Sequence, residues 1–511
     1  MEKKPILFNF FQHCEDFVSL ESAYALKRVA ELYAKYGIRG DFYLTGLVSK
    51  KLLEKAPEVI QTLKHLEMPI CYHGDNHVPF PTPQERIAEM EWNQAVEAML
   101  HLESHEINPL TGEVDSQKLG GFALIKEVFG EAPIVTIEPL GAPVVYAHKL
   151  LGARIQSMDG SMLGYPLIWK MGMLCGTQAG TNYCLQHKYV LSSDFIDSLQ
   201  CLIENLPRDR VNFISMPWHP YEFVLSRSLG RTGGKGWLIS YFDPVTRNKR
   251  NPGSGGKLQT VPSLPLEEVE RIFDAYERVV KFVVEHPEIR VVTCKNVLSW
   301  VEPLEEKRTL NMDRISATAE YLLSHWQDVL PHPAPGSGPP AFVDLGSDYL
   351  SLAEAFQVLT YSLSYYGEHG VLPNHVSIYE ILGPVDAYPQ RLAGFPQPSL
   401  YRDYQMILGE DVIAATISLE TRIVDRIPGE ILLGDPPHPI NPAEFLYLMA
   451  QEFRYIEKRG KPSPTIYLTA HILPLDYSHR EYLTMQPKDR RCWNSLAQLW
   501  TVKPARMRLE L

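Results

Sequence analysis

Short apolar runs alternate with amphipathic helical segments over the first 80 residues. Residues 5–11, 41–44 and 69–72 are largely apolar, and the segments between them repeat apolar residues at helical spacing. A continuous apolar run predicts a strand buried on both faces, because a half-exposed strand would alternate apolar and polar residues. Strands of this kind separated by helices predict a parallel sheet, either open or closed into a barrel.

The alternation continues to about residue 300. Further strand-like runs cover residues 132–137, 154–157, 211–216 and 291–293, and a long amphipathic helix covers residues 267–284. Seven or eight strand–helix units in a segment of this length suit a barrel. We therefore predict an α/β barrel over residues 1–305.

A proline-rich stretch follows this part of the chain. Residues 331–340 contain five Pro and two Gly. This composition predicts a semi-extended, solvated linker. We predict a helix plus linker over residues 306–345 and a smaller, mostly helical domain over residues 346–511.

The last third of the chain contains an internal repeat at an offset of 90 residues. The offset aligns Gly370 with Gly460 and an Ala-Glu pair at the start of one copy with an Ala-Glu pair in the other. The copies cover residues 349–384 and 439–474. Each has the pattern of an amphipathic helix, a glycine stop, a proline-containing turn and a short strand.

The charge balance excludes several kinds of partner. The chain has 49 Lys and Arg against 61 Asp and Glu, a formal net charge of −12. That acidity argues against a dedicated nucleic-acid binder.

No apolar run reaches the roughly 18 to 20 residues that span a bilayer. The short apolar run near the N-terminus lacks a following cleavage site, and seven cysteines occur without a CxxC pair, so we expect a cytoplasmic, reducing location. A secreted protein from which a signal was removed stays open as the alternative.

Four polar residues follow two of the predicted strands. Glu15 and Asp16 come directly after the first strand, and His73 and His77 follow the third. The carboxyl ends of parallel strands meet on one rim, where the active sites of barrels lie. Two imidazoles and one carboxylate suit Zn²⁺ or another divalent ion that activates water. We predict a metal centre with Asp16, His73 and His77 as ligands and Glu15 as the base.

A third histidine follows another buried strand. His219 comes after the apolar run at 211–216 and stands between Trp218 and Pro220. In that position it can act as the general acid that protonates a leaving group, or it can simply be packed between its neighbours. Residues 226–257 follow, with seven Lys and Arg against one Asp, and both a lid for an anionic substrate and a solvated loop remain open for them.

These motifs together resemble the polysaccharide deacetylase family (NodB homology), also called carbohydrate esterase family four. The resemblance covers about residues 5–302 and rests on the Glu15-Asp16 pair, the His73-x-x-x-His77 spacing and the run Met216-Pro217-Trp218-His219. It implies a distorted (β/α) barrel of seven or eight strands that removes acetyl groups from sugars with a divalent metal ion. It also implies Glu15 as base, His219 as acid and Trp218 as a wall of the pocket.

The chain departs from that family's pattern in ways that leave the substrate open. Phe17 stands where the family usually has glycine, and Phe122, near the place of an Arg-Pro motif, follows two glycines instead. We take Phe122 and Asp159, which lies at a predicted strand end, as candidates for substrate binding. A His-Gly start like that at His73 also occurs in the allantoinase-like branch, so a cyclic-amide hydrolase is one alternative. A catalytically inactive glycan-binding protein is the other.

The C-terminal copies resemble pseudomurein-binding repeats. The second copy carries the closer match, in residues 444–450 and 455–462. The resemblance implies that the repeats bind a cell-wall glycan. A purely structural role for this domain remains open beside it.

Overall fold

The structure is a computed structural model of the chain. It gives side-chain positions for most residues of both predicted parts. The described residues are 4–75, 87, 90–107, 113–136, 142–156, 167–176, 183–184, 192, 194–209, 211–225, 262–305, 307–329, 336–384, 406–467 and 500–508.

The first part of the chain forms a mainly parallel sheet. Its strands are β1 (Ile6–Cys14), β2 (Asp41–Leu44), β3 (Ile70–Tyr72), β4 (His105–Ile107), β5 (Val114–Leu119), β6 (Val135–Thr136), β7 (Ile155–Gln156), β8 (Ile168–Lys170), β9 (Met173–Cys175), β10 (Tyr183–Cys184), β11 (Asn212–Trp218) and β12 (Ile289–Val291). The strand order is β10-β11-β1-β2-β3-β6-β7-β9-β8, and β12 pairs with the first half of β1. Strands β4 and β5 form a separate hairpin.

Helices connect these strands. They are α1 (Leu20–Lys35), α2 (Gly46–Lys55), α3 (Pro57–His65), α4 (Trp92–Ser104), α5 (Gly121–Phe129), α6 (Ala142–Leu151), α7 (Phe195–Asn205), α8 (Leu266–Glu285) and α9 (Cys294–Trp300). Among the helices that the structure describes, none combines the length and apolar character needed to cross a bilayer. The βα alternation and the parallel sheet confirm the distorted (β/α) barrel as the fold class.

Strand β1 lies at the centre of the sheet, and its two faces contribute to two different cores. Phe8 and Phe10 pack in a cluster with the residues of α1, α3 and α8. Leu7 and Phe11 pack in a second cluster with side chains of β2, β3, β7 and β9. Successive residues of a strand point to opposite faces, so odd-numbered residues of β1 face the second cluster and even-numbered ones face the helices.

In the residues that the structure describes, the C-terminal part consists of small hairpins and four helices. Its strands are β13 (Lys307–Asn311), β14 (Gln327–Val329), β15 (Gly336–Gly338), β16 (Phe342–Asp344), β17 (Tyr349–Ser351), β18 (His375–Tyr379), β19 (Met406–Ile407), β20 (Ile431–Leu433), β21 (His438–Ile440), β22 (Ile466–Tyr467) and β23 (Lys503–Pro504). Its helices are α10 (Met312–Ser324), α11 (Leu352–His369), α12 (Gly409–Glu420) and α13 (Pro442–Arg459).

These elements form two copies of one arrangement. The first copy runs β13, α10, hairpin β16–β17, α11, β18, and the second runs β19, α12, hairpin β20–β21, α13, β22. In each copy the first strand pairs antiparallel with the last. Helix α10 packs on α13, and α11 packs on α12, so the first helix of each copy covers the second helix of the other. The repeat is therefore longer than the helix–turn–strand unit predicted from the sequence.

Both repeated helices begin with the same reciprocal cap. The Ser351 hydroxyl accepts the backbone N–H of Glu354 at 3.2 Å, and the Glu354 carboxylate accepts the N–H of Ser351 at 2.8 Å. Asn441 and Glu444 repeat this exchange at 2.9 and 3.0 Å. A capping box satisfies backbone donors that the helix itself leaves unbonded. Each helix ends at a left-handed glycine, with φ of 72° and 67°: Gly370 and Gly460.

The two parts of the chain share a sheet and a core. Strand β23 pairs antiparallel with β8, with Lys503 opposite Trp169. Ile168 and Cys175 of the barrel sheet also pack in the hydrophobic core of the C-terminal part, as do residues of α10. The domain bounds 1–305, 306–345 and 346–511 stay a prediction, and the described contacts place α10 with the C-terminal repeats.

Replacing Trp500 by Ala should destabilise the C-terminal part. Trp500 is 1% exposed, its ring lies 6.1 Å from that of Phe356, and its carbonyl accepts the N–H of Ala353 at 2.8 Å. Loss of a buried aromatic side chain costs about 3 to 5 kcal/mol. Urea unfolding followed by circular dichroism should show that loss. Tyr365→Ala, which removes a 39% exposed ring from α11, should change stability by less than about 0.5 kcal/mol, and an equal effect of both variants would contradict the packing described here.

The stability of the C-terminal part should fall as the pH rises from about 4.5 through 7. Glu452 is fully buried, and burial raises the pKa of its carboxyl to about 7, although the N–H of Ser463 donates to it at 3.1 Å. The folded state therefore binds a proton more tightly than the unfolded state, which stabilises it at low pH by up to roughly 3 kcal/mol. Glu452→Gln should remove this slope and be more stable than the wild type at pH 8. Glu368→Gln, on the exposed end of α11, should keep it; a wild-type stability that is flat or rises over this range would refute the assignment.

Candidate active site

The candidate site lies at the carboxyl ends of β1, β3 and β11. These strands lie close together in the order β11-β1-β2-β3, all parallel, so their last residues meet on one rim. His13 is the second-last residue of β1, His73 directly follows β3, and His219 directly follows β11. The sheet therefore brings three histidines from distant parts of the sequence together.

The loop that carries His73 is held by the start of α2. The backbone N–H of Gly46 donates to the carbonyl of Gly74, and that of Leu47 donates to the carbonyl of Asp75, each at 3.0 Å. The N–H of His73 donates to the carbonyl of Leu44 at 2.9 Å. The first N–H groups of a helix have no partner within the helix, so this contact satisfies them and fixes the loop.

His13, Glu15 and His73 form a compact cluster. His13 Nδ1 lies 2.8 Å from His73 Nε2, and His73 Nε2 lies 3.0 Å from Glu15 Oε1. One ligand atom from each of the three residues falls within 4.8 Å of the others. Glu15 and His73 are each 4% exposed. The structure thus brings together two of the predicted site residues and adds His13, which the sequence analysis did not assign.

The described hydrogen bonds of the Asp16 carboxylate are with the residues that follow it. Its Oδ1 accepts the N–H groups of Val18 at 2.9 Å and Ser19 at 3.1 Å, and its Oδ2 accepts the hydroxyl of Ser22. Lys51, which is 4% exposed, donates to the carbonyls of Asp16 and Ser19. Asp16 therefore fixes the turn that leads into α1, and the compact cluster does not include it.

His219 lies over the cluster and against a second carboxylate. Its ring stacks on that of His13, with centroids 5.1 Å apart and an interplanar angle of 23°. Its Nε2 lies 3.9 Å from Glu15 Oε2, and its Nδ1 lies 3.4 Å from Glu222 Oε2. Glu222 is 3% exposed and belongs to the 3-10 turn Pro220–Phe223 that follows β11. One ring nitrogen thus faces the cluster while the other faces a buried carboxylate.

Burial also decides the state of the two residues beside the cluster. It raises the pKa of the Cys14 thiol well above its usual value, which excludes Cys14 as a thiolate nucleophile at neutral pH. It lowers the pKa of Lys51, although the neighbouring Asp16 charge opposes that effect. Cys14 packs in the hydrophobic cluster that contains α1, and Lys51 holds the turn before α1 through its hydrogen bonds to the carbonyls of Asp16 and Ser19.

Two proposed substrate contacts lie deep in the protein. Trp218 is fully buried between Phe223 and Tyr276, at centroid distances of 4.9 and 4.8 Å. Phe122 is 2% exposed and lies edge-on to Tyr72 at 5.4 Å. Their described contacts are therefore those of packing residues, and a contact with substrate stays a prediction. His77, Asp159 and residues 226–257 lie outside the described residues.

The alternation of side chains along β1 predicts that His13 faces the inside of the barrel. His13 and Glu15 follow Leu7 and Phe11 at odd positions, so they continue the face that points into the barrel. Asp16 is at an even position, on the side of Cys14 and α1. For Glu222 the sequence offers only its position three residues after His219, which becomes informative once the 3-10 turn is known.

The cluster fits a divalent metal ion by its donor set and its spacing. Two imidazole nitrogens and one carboxylate oxygen are ligands that Zn²⁺ accepts, with Zn–N distances of about 2.0 to 2.1 Å. Tetrahedral ligand atoms at that distance lie about 3.3 Å apart. The observed 2.8 and 3.0 Å separations differ from this by a few tenths of an ångström. His13, Glu15 and His73 can therefore hold such an ion after a small outward shift.

Comparisons with known proteins give only distant matches. No protein-family model matches the sequence, and no curated protein matches it. Among solved structures, an allantoinase (PuuE) is 13% identical with a TM-score of 0.33, over 57% of this chain and 88% of that one. A probable polysaccharide deacetylase from Pseudomonas aeruginosa PAO1 is 13% identical with a TM-score of 0.32, over 57% and 89%.

A further match has a different activity. A 4-alpha-glucanotransferase from Thermococcus litoralis is 12% identical with a TM-score of 0.34, over 58% of this chain and 40% of that one. The matched structures thus include polysaccharide deacetylases, which the sequence motifs resemble, together with other enzymes. Similarity at this level does not indicate which reaction the chain catalyses.

Proposed function

We propose that the chain is a hydrolase that cleaves an amide or ester bond at the His13–Glu15–His73 cluster. The observation that carries this proposal is the convergence of two imidazoles and a buried carboxylate within 4.8 Å at the carboxyl ends of neighbouring parallel strands. His219, stacked on His13, adds a group that can hold or release a proton. The acetyl group of an acetylated sugar is the substrate that the sequence motifs favour.

His13, Glu15 and His73 are the residues that would hold the divalent ion, with zinc the best fit to their donors. Such an ion, when bound, polarises the carbonyl of the substrate and makes a bound water more acidic. This assignment gives ligand positions to Glu15 and His13 rather than to Asp16, because Glu15 and His13 are the residues that form the compact cluster with His73. His77 remains a further candidate ligand.

His219 would supply the proton that the reaction requires. Hydrolysis adds water to the carbonyl carbon, breaks the C–N or C–O bond, and transfers one proton to the departing nitrogen or oxygen. The Nε2 atom of His219 faces the cluster, and Glu222, at 3.4 Å from Nδ1, stabilises the protonated ring. Glu15, 3.9 Å from Nε2, is close enough to exchange a proton with His219 through one water.

The finer features of this function are also proposals. An acetylated carbohydrate as substrate rests on the sequence motifs, and so does a cell-wall glycan as ligand of the C-terminal repeats. Turnover of acetylated chitin oligomers, of acetylated xylan and of a cyclic amide such as hydantoin would separate the deacetylase from the cyclic-amide hydrolase. Glycan binding with no turnover of any of the three would indicate the inactive glycan-binding protein.

Replacing Glu15 and Asp16 separately by their amides should identify which of the two carboxylates is the metal ligand. We expect Glu15→Gln to lose bound zinc, measured by plasma emission spectrometry, and with it turnover by about 10²-fold or more. Asp16→Asn should keep the zinc, because an amide oxygen still accepts the N–H groups of Val18 and Ser19. Zinc lost from Asp16→Asn but kept in Glu15→Gln would instead make Asp16 the ligand and Glu15 the base. A wild-type protein that binds no divalent metal would contradict both versions.

Substrates with different leaving groups should reveal the acid. His219→Gln should slow cleavage of an acetamide by roughly 10² to 10⁴-fold, because the departing amine needs a proton. It should change cleavage of 4-nitrophenyl acetate far less, because that leaving group departs as an anion. Glu222→Gln should give the same selective loss to a smaller extent, with the metal content unchanged. Equal losses on both substrates would mean that His219 only shapes the site.

A further inference from the structure

A polar cavity lies where the barrel meets the first C-terminal copy. It has a volume of about 390 Å³ and is bounded by the segment after α9, by β13, α10 and the β16–β17 turn, and by residues 503–508. We call it the junction cavity. It shares no residue with the His13–Glu15–His73 cluster, and clefts between domains are common ligand sites.

Three cations and two carboxylates line or support the inner part of the junction cavity. Arg308 contacts Glu354 at 2.5 Å and Asp348 at 2.8 Å, and Arg314 contacts Asp348 at 2.7 Å. Lys503 contacts both oxygens of Glu354, at 2.8 and 3.0 Å. Each carboxylate is therefore shared between two cations, so the cations have more N–H donors than these two carboxylates accept. One such donor is the Nε of Arg308, which hydrogen-bonds to none of the residues that the structure describes.

Two more arginines come from the C-terminal segment. Arg506 lies 4.9 Å over the ring of Tyr349 and donates to the carbonyls of the β16–β17 turn. Arg508 is exposed, and its backbone N–H donates to the carbonyl of Trp300 at 2.7 Å. The pairing of this segment with the barrel thus holds both guanidinium groups at the cavity.

The cations outnumber the carboxylates inside the cavity. Arg308, Arg314, Lys503 and Arg506 face two inner acids, Asp348 and Glu354, a difference of 4 − 2 = +2. The exposed charged residues of the lining are Arg508, Glu302 and Glu305, which contribute 1 − 2 = −1. A local excess of positive charge in a chain of net charge −12 favours an anion.

The second copy shows that this charge is not required by the repeat. The capping glutamate is kept in both copies, as Glu354 and Glu444. Helices α10 and α12 begin at Met312 and Gly409, an offset of 97, so Asp411 takes the place of Arg314. The fold thus tolerates an acid where the first copy has a cation, and the cationic cavity belongs to the first copy.

We propose that the junction cavity binds a small organic phosphate monoester. A guanidinium fork matches the geometry of a phosphate, and the arginines approach from three elements, as a group with three terminal oxygens requires. The volume of about 390 Å³ exceeds that of a bare ion, and Trp169 and Tyr349 offer aromatic surface for the organic part. Because the walls come from both parts of the chain, the bound ligand also ties the barrel to the repeats.

Calorimetric titration of the full chain with glucose 6-phosphate at low ionic strength tests this proposal. We expect saturable binding of glucose 6-phosphate and none of glucose. Arg314→Gln and Arg506→Gln should each weaken binding by about 10-fold or more, the size expected for a lost hydrogen bond to a charged group. Arg271→Gln, which removes the same charge from the exposed surface of α8, should leave the affinity unchanged.

Several results would overturn the proposal. The first is the absence of saturable binding of both glucose 6-phosphate and ribose 5-phosphate, whether or not inorganic phosphate binds. The others are binding of succinate as tight as that of the esters and unchanged affinity in Arg314→Gln and Arg506→Gln. If those two variants unfold, Arg508→Gln decides, because Arg508 is exposed and its replacement should not unfold the protein. Its melting temperature should then rise less with glucose 6-phosphate than that of the wild type, and an equal rise would refute the site.

Discussion

The pairing of β1 with three other strands is the constraint on which the site depends. Its first half lies between β11 and β12, and its second half lies between β11 and β2. Every residue of β1 except His13 is buried. A shift of its register by one residue would move each side chain to the opposite face of the sheet and disrupt both cores. The same register fixes which of the polar residues at its end face the inside of the barrel, so the position of the candidate site depends on the sheet.

The sequence predicts the regular parts of this molecule well. Continuous apolar runs identify β1, β2, β3 and β11, and the helical spacing of apolar residues in 267–284 predicts α8. The spacing of apolar residues shows whether an element is buried on one side or on both. The antiparallel β8 and the distant β23 lack such a signal. Two-residue strands such as β23 contain too few residues to show a period, and their pairing depends on chain that is far away in the sequence.

The candidate site could be predicted only in part, for a related reason. Motif spacing identifies His73 and His219 because each stands directly after a strand whose apolar run is plain. Choosing between Glu15 and Asp16 requires the direction of the backbone after β1, and two adjacent carboxylates look equivalent until strand alternation is applied to them. Glu222 could not be found at all, since its approach to His219 is produced by a turn and by no periodic pattern.

The crossed packing of the two C-terminal copies has a consequence for how the chain acquires its structure during synthesis. Each copy leaves its own apolar helix uncovered until the other copy has been made, because α10 packs on α13 and α11 on α12. The edge of β8 likewise stays open until residues 503–504 have left the ribosome. Nascent chains with exposed apolar surface and an unpaired strand edge are prone to aggregate or to exchange elements with a neighbour. We therefore expect chaperone engagement to be strongest while residues 352–440 are being synthesised, and two nascent chains that meet at that stage can complete each other's repeats.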